Sequence, residues 1–192
     1  MKNTNAMLQK TRWAFAKEES EKTWEQKVKL SEMILRLKNS RKKRFGLFIV
    51  FGWKNDWNRE HADISDSSQD IFAKNKIDVF RKTSFKKIVS TINFDGAILI
   101  DKNGIIRHSG MIISQISPRA LANELSKNSK EDLSTRLGFR KKVHTRHLAA
   151  ITTSWTLKDT TVFTISEETG DIHIFEKGQI IFSTVPAEIK SK

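Results

Sequence analysis

Three short clusters of polar residues in this chain carry the side chains needed to bind a phosphorylated ligand together with a metal ion. The first is Asp95-Gly96-Ala97, the second is Thr145-Arg146-His147, and the third is Ser166-Glu167-Glu168-Thr169-Gly170. Carboxylate oxygens suit Mg²⁺ or Mn²⁺, and these ions bind through one or two carboxylates together with substrate phosphates. If the clusters meet in space, the residues alone predict a nucleotide-like anion site.

The second cluster has the clearest physical basis. It precedes the apolar pattern HLAAITTSW and is therefore predicted to begin a helix, whose first N–H groups and positive dipole end favour anions. The guanidinium of Arg146 matches phosphate with two parallel hydrogen bonds, and His147 is a further donor. An ordinary capped helix with an exposed arginine is the alternative. A metal pair formed by His144 and His147 lacks a third ligand at a recognisable spacing.

The other two clusters also fit ordinary structural roles when each is taken alone. Asp95 and Gly96 suit a loop that leads from a helix into a strand, because glycine adopts conformations closed to other residues. Residues 166–170 suit a polar hairpin turn. The prediction of a ligand site therefore depends on all three clusters occurring together.

The apolar periodicity predicts an α/β fold, with a central mixed β-sheet flanked by helices and an N-terminal helical extension. We expect the extension over residues 1–26 and a nucleotide-binding domain over residues 27–192. The extension is expected to serve regulation or assembly. The alternative is that its aromatic residues Trp13, Phe15 and Trp24 pack against the same domain.

Local signals predict where individual elements begin. A capping box formed by Thr23 and Gln26 is expected to begin the second helix. The pair Ser117-Pro118 is expected to begin the helix that follows the central hairpin, with proline in its first turn. Residues 54–78 are predicted to be a polar connection. The remaining predicted elements are a helix at about 6–17, a buried strand at 45–53, a helix from Thr83 or Ser84, a hairpin that turns at 101–104, and three strands after residue 160.

The composition excludes several classes of protein. The chain has no cysteine, which rules out disulfides and thiolate zinc sites, and its longest apolar run, at 45–53, is far shorter than a membrane span. We expect a cytoplasmic protein. The 35 Lys and Arg residues against 22 Asp and Glu give a net charge of +13, which also admits nucleic acid as a weaker alternative partner. The basic run Arg41–Arg44 is interpreted as a solvated helix end, or else as a partner-binding patch.

The three motifs, in this order, resemble the diadenylate cyclase domain family. The D-G-A motif of that family corresponds to Asp95-Gly96-Ala97, and its T-R-H-R-A-A motif corresponds to Thr145–Ala150. Its V-S-E-E-T-G turn corresponds to Ile165–Gly170. The resemblance covers about residues 27–182.

Members of the family condense two ATP molecules into cyclic di-AMP and release pyrophosphate, using Mg²⁺ or Mn²⁺ at a face-to-face homodimer or within a larger homo-oligomer. The resemblance implies the same activity here, with ATP as substrate and cyclic di-AMP as product. It also implies the roles of individual residues: catalysis by Asp95, Arg146 and His147; ATP binding by Gly96, Ala97, Ile113, Thr145, Arg146, His147 and Ser166; and metal binding by Asp95, Glu167 and Glu168.

The sequence departs from the family pattern at Leu148, which stands where the family has the second arginine of R-H-R. The replacement removes one cation from the predicted phosphate clamp. Phe94 replaces a residue that is often histidine, and the segment LGFRKKVHTRH contains an apparent insertion before the second motif. An alternative function is therefore a degenerate domain that binds ATP or a cyclic dinucleotide as a sensor without turning it over.

Overall fold

One mixed β-sheet of eight strands organises the chain. The computed structural model describes residues 2–15, 20–64, 66–92, 94–126, 137 and 145–189. The strands lie in the order β2-β5-β4-β1-β6-β7-β8, and β3 pairs with β5. Their bounds are Leu47–Trp53 (β1), Ala62–Ile64 (β2), Ile77–Asp78 (β3), Ala97–Asp101 (β4), Ile105–Ile113 (β5), Thr161–Ile165 (β6), Ile172–Glu176 (β7) and Gln179–Ser183 (β8).

Helices flank this sheet, so the expected fold class, including its N-terminal helical part, is confirmed. Ser117 caps the helix that begins at Pro118, as predicted, because its hydroxyl accepts a hydrogen bond from the Ala120 N–H. The predicted capping box is wrong: the second helix begins earlier, and Ser20 caps it by accepting from the Thr23 N–H. The α-helices are Lys2–Ala14 (α1), Glu21–Ser40 (α2), Asn58–His61 (α3), Ser84–Ser90 (α4), Pro118–Ser126 (α5) and Thr145–Thr156 (α6).

The direction of the central strands determines which motifs share an end of the sheet. β1 and β4 are parallel, whereas β5 and β6 run antiparallel to them. Leu47 at the start of β1 pairs with Ile165 at the end of β6, and Ala97 at the start of β4 pairs with Met111 near the end of β5. The D-G-A motif and the S-E-E-T-G turn therefore lie at the same end of the sheet.

The sheet is buried on both faces. Ile49 and Phe51 of β1 pack toward α1, α2 and α4, whereas Val50, between them in sequence, packs toward α5 and α6. Burial on both sides explains why β1 is a continuous apolar run and does not alternate with polar residues. Within the described residues, no helix has both the length and the apolar composition that a membrane span requires.

The N-terminal helices are packed against the sheet. Phe15, which follows α1, is buried, and its ring lies 6.4 Å from the ring of Phe163 on β6. The Lys27 ammonium of α2 lies 5.7 Å from the Phe15 ring and forms a buried ion pair with Glu176 of β7, with a Nζ–Oε1 distance of 2.6 Å. Trp13, in contrast, is 83% exposed. The boundary at residue 26 and a regulatory role for this region stay predictions.

Candidate functional site

A cavity of about 490 Å³ lies at the end of the sheet where β1 and β4 begin and β5 and β6 end. Its walls come from four strand ends and from α6. The described residues that line it are Arg44, Phe45, Gly46, Leu47, Phe48, Ile92, Phe94, Asp95, Gly96, Ala97, Met111, Ile112, Ile113, Ile116, Ala149, Thr153 and Glu167.

All three sequence motifs contribute to this one cavity. Asp95, Gly96 and Ala97 supply one part of the wall, Ala149 of the second motif supplies another, and Glu167 of the third motif completes the set. Ile113, the residue expected near adenine, also lines the cavity. The sheet topology thus brings together segments that are far apart along the chain.

The backbone geometry at the start of β4 requires the glycine of the D-G-A motif. Gly96 has a φ of +89°, and a Cβ built on it would lie 2.5 Å from the backbone oxygen of Met111. Side-chain-bearing residues rarely adopt such a φ, and the close approach of β5 leaves no room for a Cβ. Ala97 is buried directly opposite Met111 in the strand pair. Glycine is therefore needed at position 96 even without a ligand.

Asp95 is held at the cavity by its main chain, which leaves its exposed side chain on the cavity wall. The Asp95 N–H donates a hydrogen bond of 2.8 Å to the Oε1 of Gln69. Gln69 is itself fixed to β5, because its backbone oxygen accepts a 2.6 Å hydrogen bond from the Ser109 hydroxyl. The segment around Gln69 therefore positions the backbone of the predicted catalytic acid.

The loop that carries Gln69 is stabilised by its own polar contacts. Hydrogen bonds from the Ser68 side chain and from its backbone N–H lower the pKa of the exposed Asp66 carboxyl. Asp70, whose side chain is 4% exposed, accepts a hydrogen bond from the Ser109 N–H at 3.0 Å and lies 2.8 Å from the Nδ1 of His108. These contacts attach residues 66–70 to β5 at several points.

The second motif begins α6, as the sequence predicts. The side chains of Thr145 and Arg146 lie outside the described part of the chain, so their predicted contacts with phosphate stay predictions. The ring of His147 lies against β7, with its centroid 4.3 Å from that of His173 and 6.0 Å from that of Phe175. His147 is not among the described residues that line the cavity, and its predicted roles also stay predictions.

The third motif forms a tight turn after β6. The Ser166 hydroxyl accepts a 3.3 Å hydrogen bond from the Thr169 N–H, and the backbone oxygen of Glu168 accepts one from the guanidinium of Arg44. Of the two acids in the turn, Glu167 lines the cavity. Ser166 and Glu168 are not among the described lining residues, so their assignments to phosphate and metal stay predictions.

Arg44 is a cavity residue that the sequence did not indicate. It belongs to the basic run after α2, which was interpreted as a solvated helix end or a partner-binding patch. The chain turns from α2 into β1 at this point, so Arg44 is brought to the mouth of the cavity beside the third motif. The one feature of the sequence that could have indicated a place for Arg44 at the cavity is its position directly before the apolar run at 45–53.

The cavity has ligands suited to a hard divalent cation. Asp95 and Glu167 are both exposed and both line the cavity, so two acidic residues belong to one cavity wall. Mg²⁺ and Mn²⁺ commonly bind through one or two carboxylates and complete their coordination with phosphate oxygens and water. Within the described ranges, no cluster of three or more His, Asp or Glu side chains forms a complete metal site. The donor set therefore fits a cation that arrives with a phosphorylated ligand.

Comparisons with known proteins agree with the motifs. Residues 36–180 match the family described as DAC, DisA bacterial checkpoint controller nucleotide-binding. No curated protein gives a significant match. A solved structure described as a hypothetical membrane spanning protein from Bacillus cereus is 19% identical, with a TM-score of 0.49. The match covers 84% of this chain, which spans only 62% of that protein.

A second solved structure is a double mutant of DacA from Staphylococcus aureus. It is 19% identical, with a TM-score of 0.44, and the match covers 100% of this chain and 91% of DacA. The family match extends over well more than half of the 192 residues and includes all three motifs. The chain therefore belongs to the diadenylate cyclase (DAC) nucleotide-binding family.

Proposed function

We propose that the protein is a diadenylate cyclase, which condenses two ATP molecules into cyclic di-AMP and releases two molecules of pyrophosphate. The observation that carries this proposal is the convergence of the three family motifs on one cavity. In the reaction, the 3′-hydroxyl of each ATP attacks the α-phosphorus of the other. The bond from that phosphorus to the bridging oxygen of pyrophosphate breaks, and the hydroxyl proton passes to the Asp95 carboxylate and from there to water.

The character of the cavity supports a nucleotide as its ligand. Its volume of about 490 Å³ lies within the usual range for small-molecule sites. Leu47, Ile92 and Met111 provide a buried apolar part, which suits a purine base. Arg44, Asp95 and Glu167 are exposed and provide a charged part, which suits a triphosphate with its cation.

The proposed roles follow from this division. Asp95 accepts a hydrogen bond from the ribose 3′-hydroxyl, and Asp95 and Glu167, with Glu168 as a further candidate, hold Mg²⁺ or Mn²⁺. When bound, the cation neutralises phosphate charge and makes the hydroxyl more acidic. The backbone of Ile113 contacts adenine beside Gly96 and Ala97. The triphosphate is bound by Thr145, Arg146, His147 and Ser166.

The reaction also requires two protein copies. Each copy is proposed to bind one ATP, so the two cavities must face each other for both displacements to occur in line. The exposed apolar residue Ile112 supports such an arrangement, since it lies at the cavity. A symmetric homodimer, at least during turnover, is therefore part of the proposal.

The experiment that tests this proposal is incubation of the purified protein with ATP and Mn²⁺, followed by mass spectrometry. We expect a product with the mass of cyclic di-AMP, together with pyrophosphate. Binding of ATP without any product would favour the sensor, for which Leu148 is the supporting sequence feature. A protein that forms no product and binds neither ATP nor a cyclic dinucleotide contradicts both functions.

Thr153 offers a test of where the base lies. Its hydroxyl is buried in the cavity wall and has no hydrogen-bond partner within the described part of the chain. We expect Thr153→Val to leave the free energy of unfolding unchanged or to raise it by about 1 kcal/mol, because an unsatisfied polar group is removed. We propose that the side chain of Thr153 rotates about χ1 when ATP binds, so that its hydroxyl turns into the cavity and bonds to adenine. We therefore expect ATP affinity to fall about 10-fold in this variant.

The matched control is Thr152→Val on the same helix. The Thr152 hydroxyl is also buried, but it donates a 2.7 Å hydrogen bond to the backbone oxygen of Leu148. We expect this variant to lose about 1 kcal/mol of stability and to keep its ATP affinity. Denaturant unfolding and calorimetric titration measure the two quantities. The proposed position of the base is wrong if Thr153→Val binds ATP as tightly as the wild type.

A further inference from the structure

Arg44 combines a cationic side chain with a fixed position at the mouth of the cavity. It lines the cavity with Asp95 and Glu167, and it is exposed. Phe45, the next residue, is buried and anchors the backbone at the entrance to β1. Among the described residues that line the cavity, Arg44 therefore carries the positive charge, and Asp95 and Glu167 carry the negative charges.

The contact between Arg44 and the third motif fixes the direction of its side chain. The guanidinium donates a hydrogen bond to the backbone oxygen of Glu168, and the Arg44 Cγ lies 3.8 Å from the position that a Cβ on Gly170 would occupy. The side chain thus runs along the turn that carries Glu167. A guanidinium has five N–H donors in a planar fork, so a single carbonyl engages only part of its capacity.

The family pattern has a second arginine that this chain lacks, and Arg44 carries the same charge at the cavity to which the three motifs contribute. Leu148, which replaces that arginine, is half-buried on α6. We propose that Arg44 binds the phosphates of the nucleotide and supplies a cation to the cavity from the start of β1. This inference rests on the proposed function and adds a phosphate ligand to it from outside the three motifs.

A purely structural role for Arg44 makes a different prediction. If the residue only holds the 166–170 turn through Glu168, its loss acts through Ser166 and Glu167, which are themselves proposed to contact phosphate and metal. The effect of Arg44→Met on the triphosphate is then absent from a protein in which Ser166→Ala and Glu167→Gln already remove those contacts. If Arg44 binds phosphate directly, its loss weakens triphosphate binding in that background as well and leaves nucleoside binding unchanged.

The experiment is a calorimetric titration of 3′-deoxy-ATP and of 3′-deoxyadenosine, in the presence of Mg²⁺. Neither ligand has the 3′-hydroxyl, so no turnover interferes. We expect Arg44→Met to weaken binding of 3′-deoxy-ATP by about 10- to 100-fold, because a charge-assisted contact with a polyphosphate is lost. Binding of 3′-deoxyadenosine is expected to stay unchanged, and Arg44→Lys is expected to be intermediate.

The matched control is Lys43→Met, which removes an equal charge at the adjacent exposed residue. We expect it to change the affinity for 3′-deoxy-ATP less than 3-fold, because an exposed charge outside the site is screened by salt. Equal weakening of both ligands by Arg44→Met, no weakening of either, or weakening that disappears in the Ser166→Ala, Glu167→Gln background overturns the inference while the proposed function stands. A wild-type protein that does not bind 3′-deoxy-ATP refutes the proposed function, and the inference with it.

Discussion

Replacing Asp95 with Asn is expected to reduce the rate of cyclic di-AMP formation by about 100-fold or more. The amide keeps the shape of the side chain but cannot hold a cation or accept a proton as a carboxylate does. The fold is expected to stay intact, because Asp95 is exposed and its hydrogen bond to Gln69 uses the backbone N–H. Mass spectrometry of the product measures the rate, and thermal unfolding verifies the fold.

The control for this variant is Asp159→Asn. Asp159 is exposed, pairs with Lys54 at 3.4 Å, and lies near the end of β1 that is opposite the cavity. We expect this variant to form product at the wild-type rate, because an exposed ion pair contributes little. A wild-type rate in Asp95→Asn would show that the carboxylate is not catalytic.

Replacing Lys27 with Met is expected to lower the free energy of unfolding by about 3–5 kcal/mol. Lys27 is 3% exposed, and its loss leaves the carboxylate of Glu176 buried with a hydrogen bond from the Thr161 hydroxyl but without its cation. An uncompensated buried charge is among the most destabilising changes a core can undergo. Denaturant unfolding monitored by tryptophan fluorescence measures the change.

Two further variants show whether the buried charge is the cause. Lys29→Met removes an exposed lysine of the same helix, which pairs with Glu25 at 3.5 Å, and is expected to cost less than about 1 kcal/mol. Lys27→Met combined with Glu176→Leu removes both charges and is expected to recover most of the lost stability. If the double variant is as unstable as Lys27→Met, lost packing and not the isolated charge explains the effect.

Elements with strong local signals could be predicted from the sequence. The apolar run at 45–53 predicts a buried strand, and β1 occupies Leu47–Trp53. The turn at 101–104 joins β4 to β5, with Gly104 at a φ of +83°. Ser117 and Pro118 predict the start of α5 correctly. In each case a few adjacent residues contain enough information, because backbone conformation and capping are local.

Elements that depend on distant partners could not be predicted. The segment at 54–78 was predicted to be a polar connection, but it contains α3 and the short strands β2 and β3. Both strands pair with β5, which is distant in sequence, and their own residues are half-buried or exposed. Their stability comes from the β5 edge and not from their own apolar pattern, so no periodicity marks them.

The candidate site could be predicted only in part, because it combines local motifs with contacts between segments that are distant in sequence. Asp95, Ala97 and Glu167 were named from short motifs, and the sheet brings them to one cavity. Arg44 was not named, because nothing in a run of basic residues tells which side chain will reach a cavity. The orientation of His147 toward His173 of β7 also depends on packing that the motif does not encode.

The central claim is that three motifs distant in sequence form one ATP site, and the chain offers a rival cavity for comparison. A second cavity, of about 510 Å³, is lined by Lys54, Lys102 and Arg107. It lies at the opposite end of β1 and β4 and is also lined by Asp101 and Asp159, which pair with Arg107 and Lys54. Its exposed lysine Lys102 still suits an anion. If only the net charge of the protein attracts the nucleotide, we expect no preferential binding to the first cavity.

Photoaffinity labelling with 8-azido-ATP, followed by digestion and mass spectrometry of the peptides, distinguishes the two cavities directly. The label is expected on peptides that contain residues 44–48, 94–97 or 111–116, and an excess of ATP is expected to remove it. Labelling confined to residues 52–55 or 101–107, or labelling that ATP does not displace, would contradict the claim that the motifs form the nucleotide site.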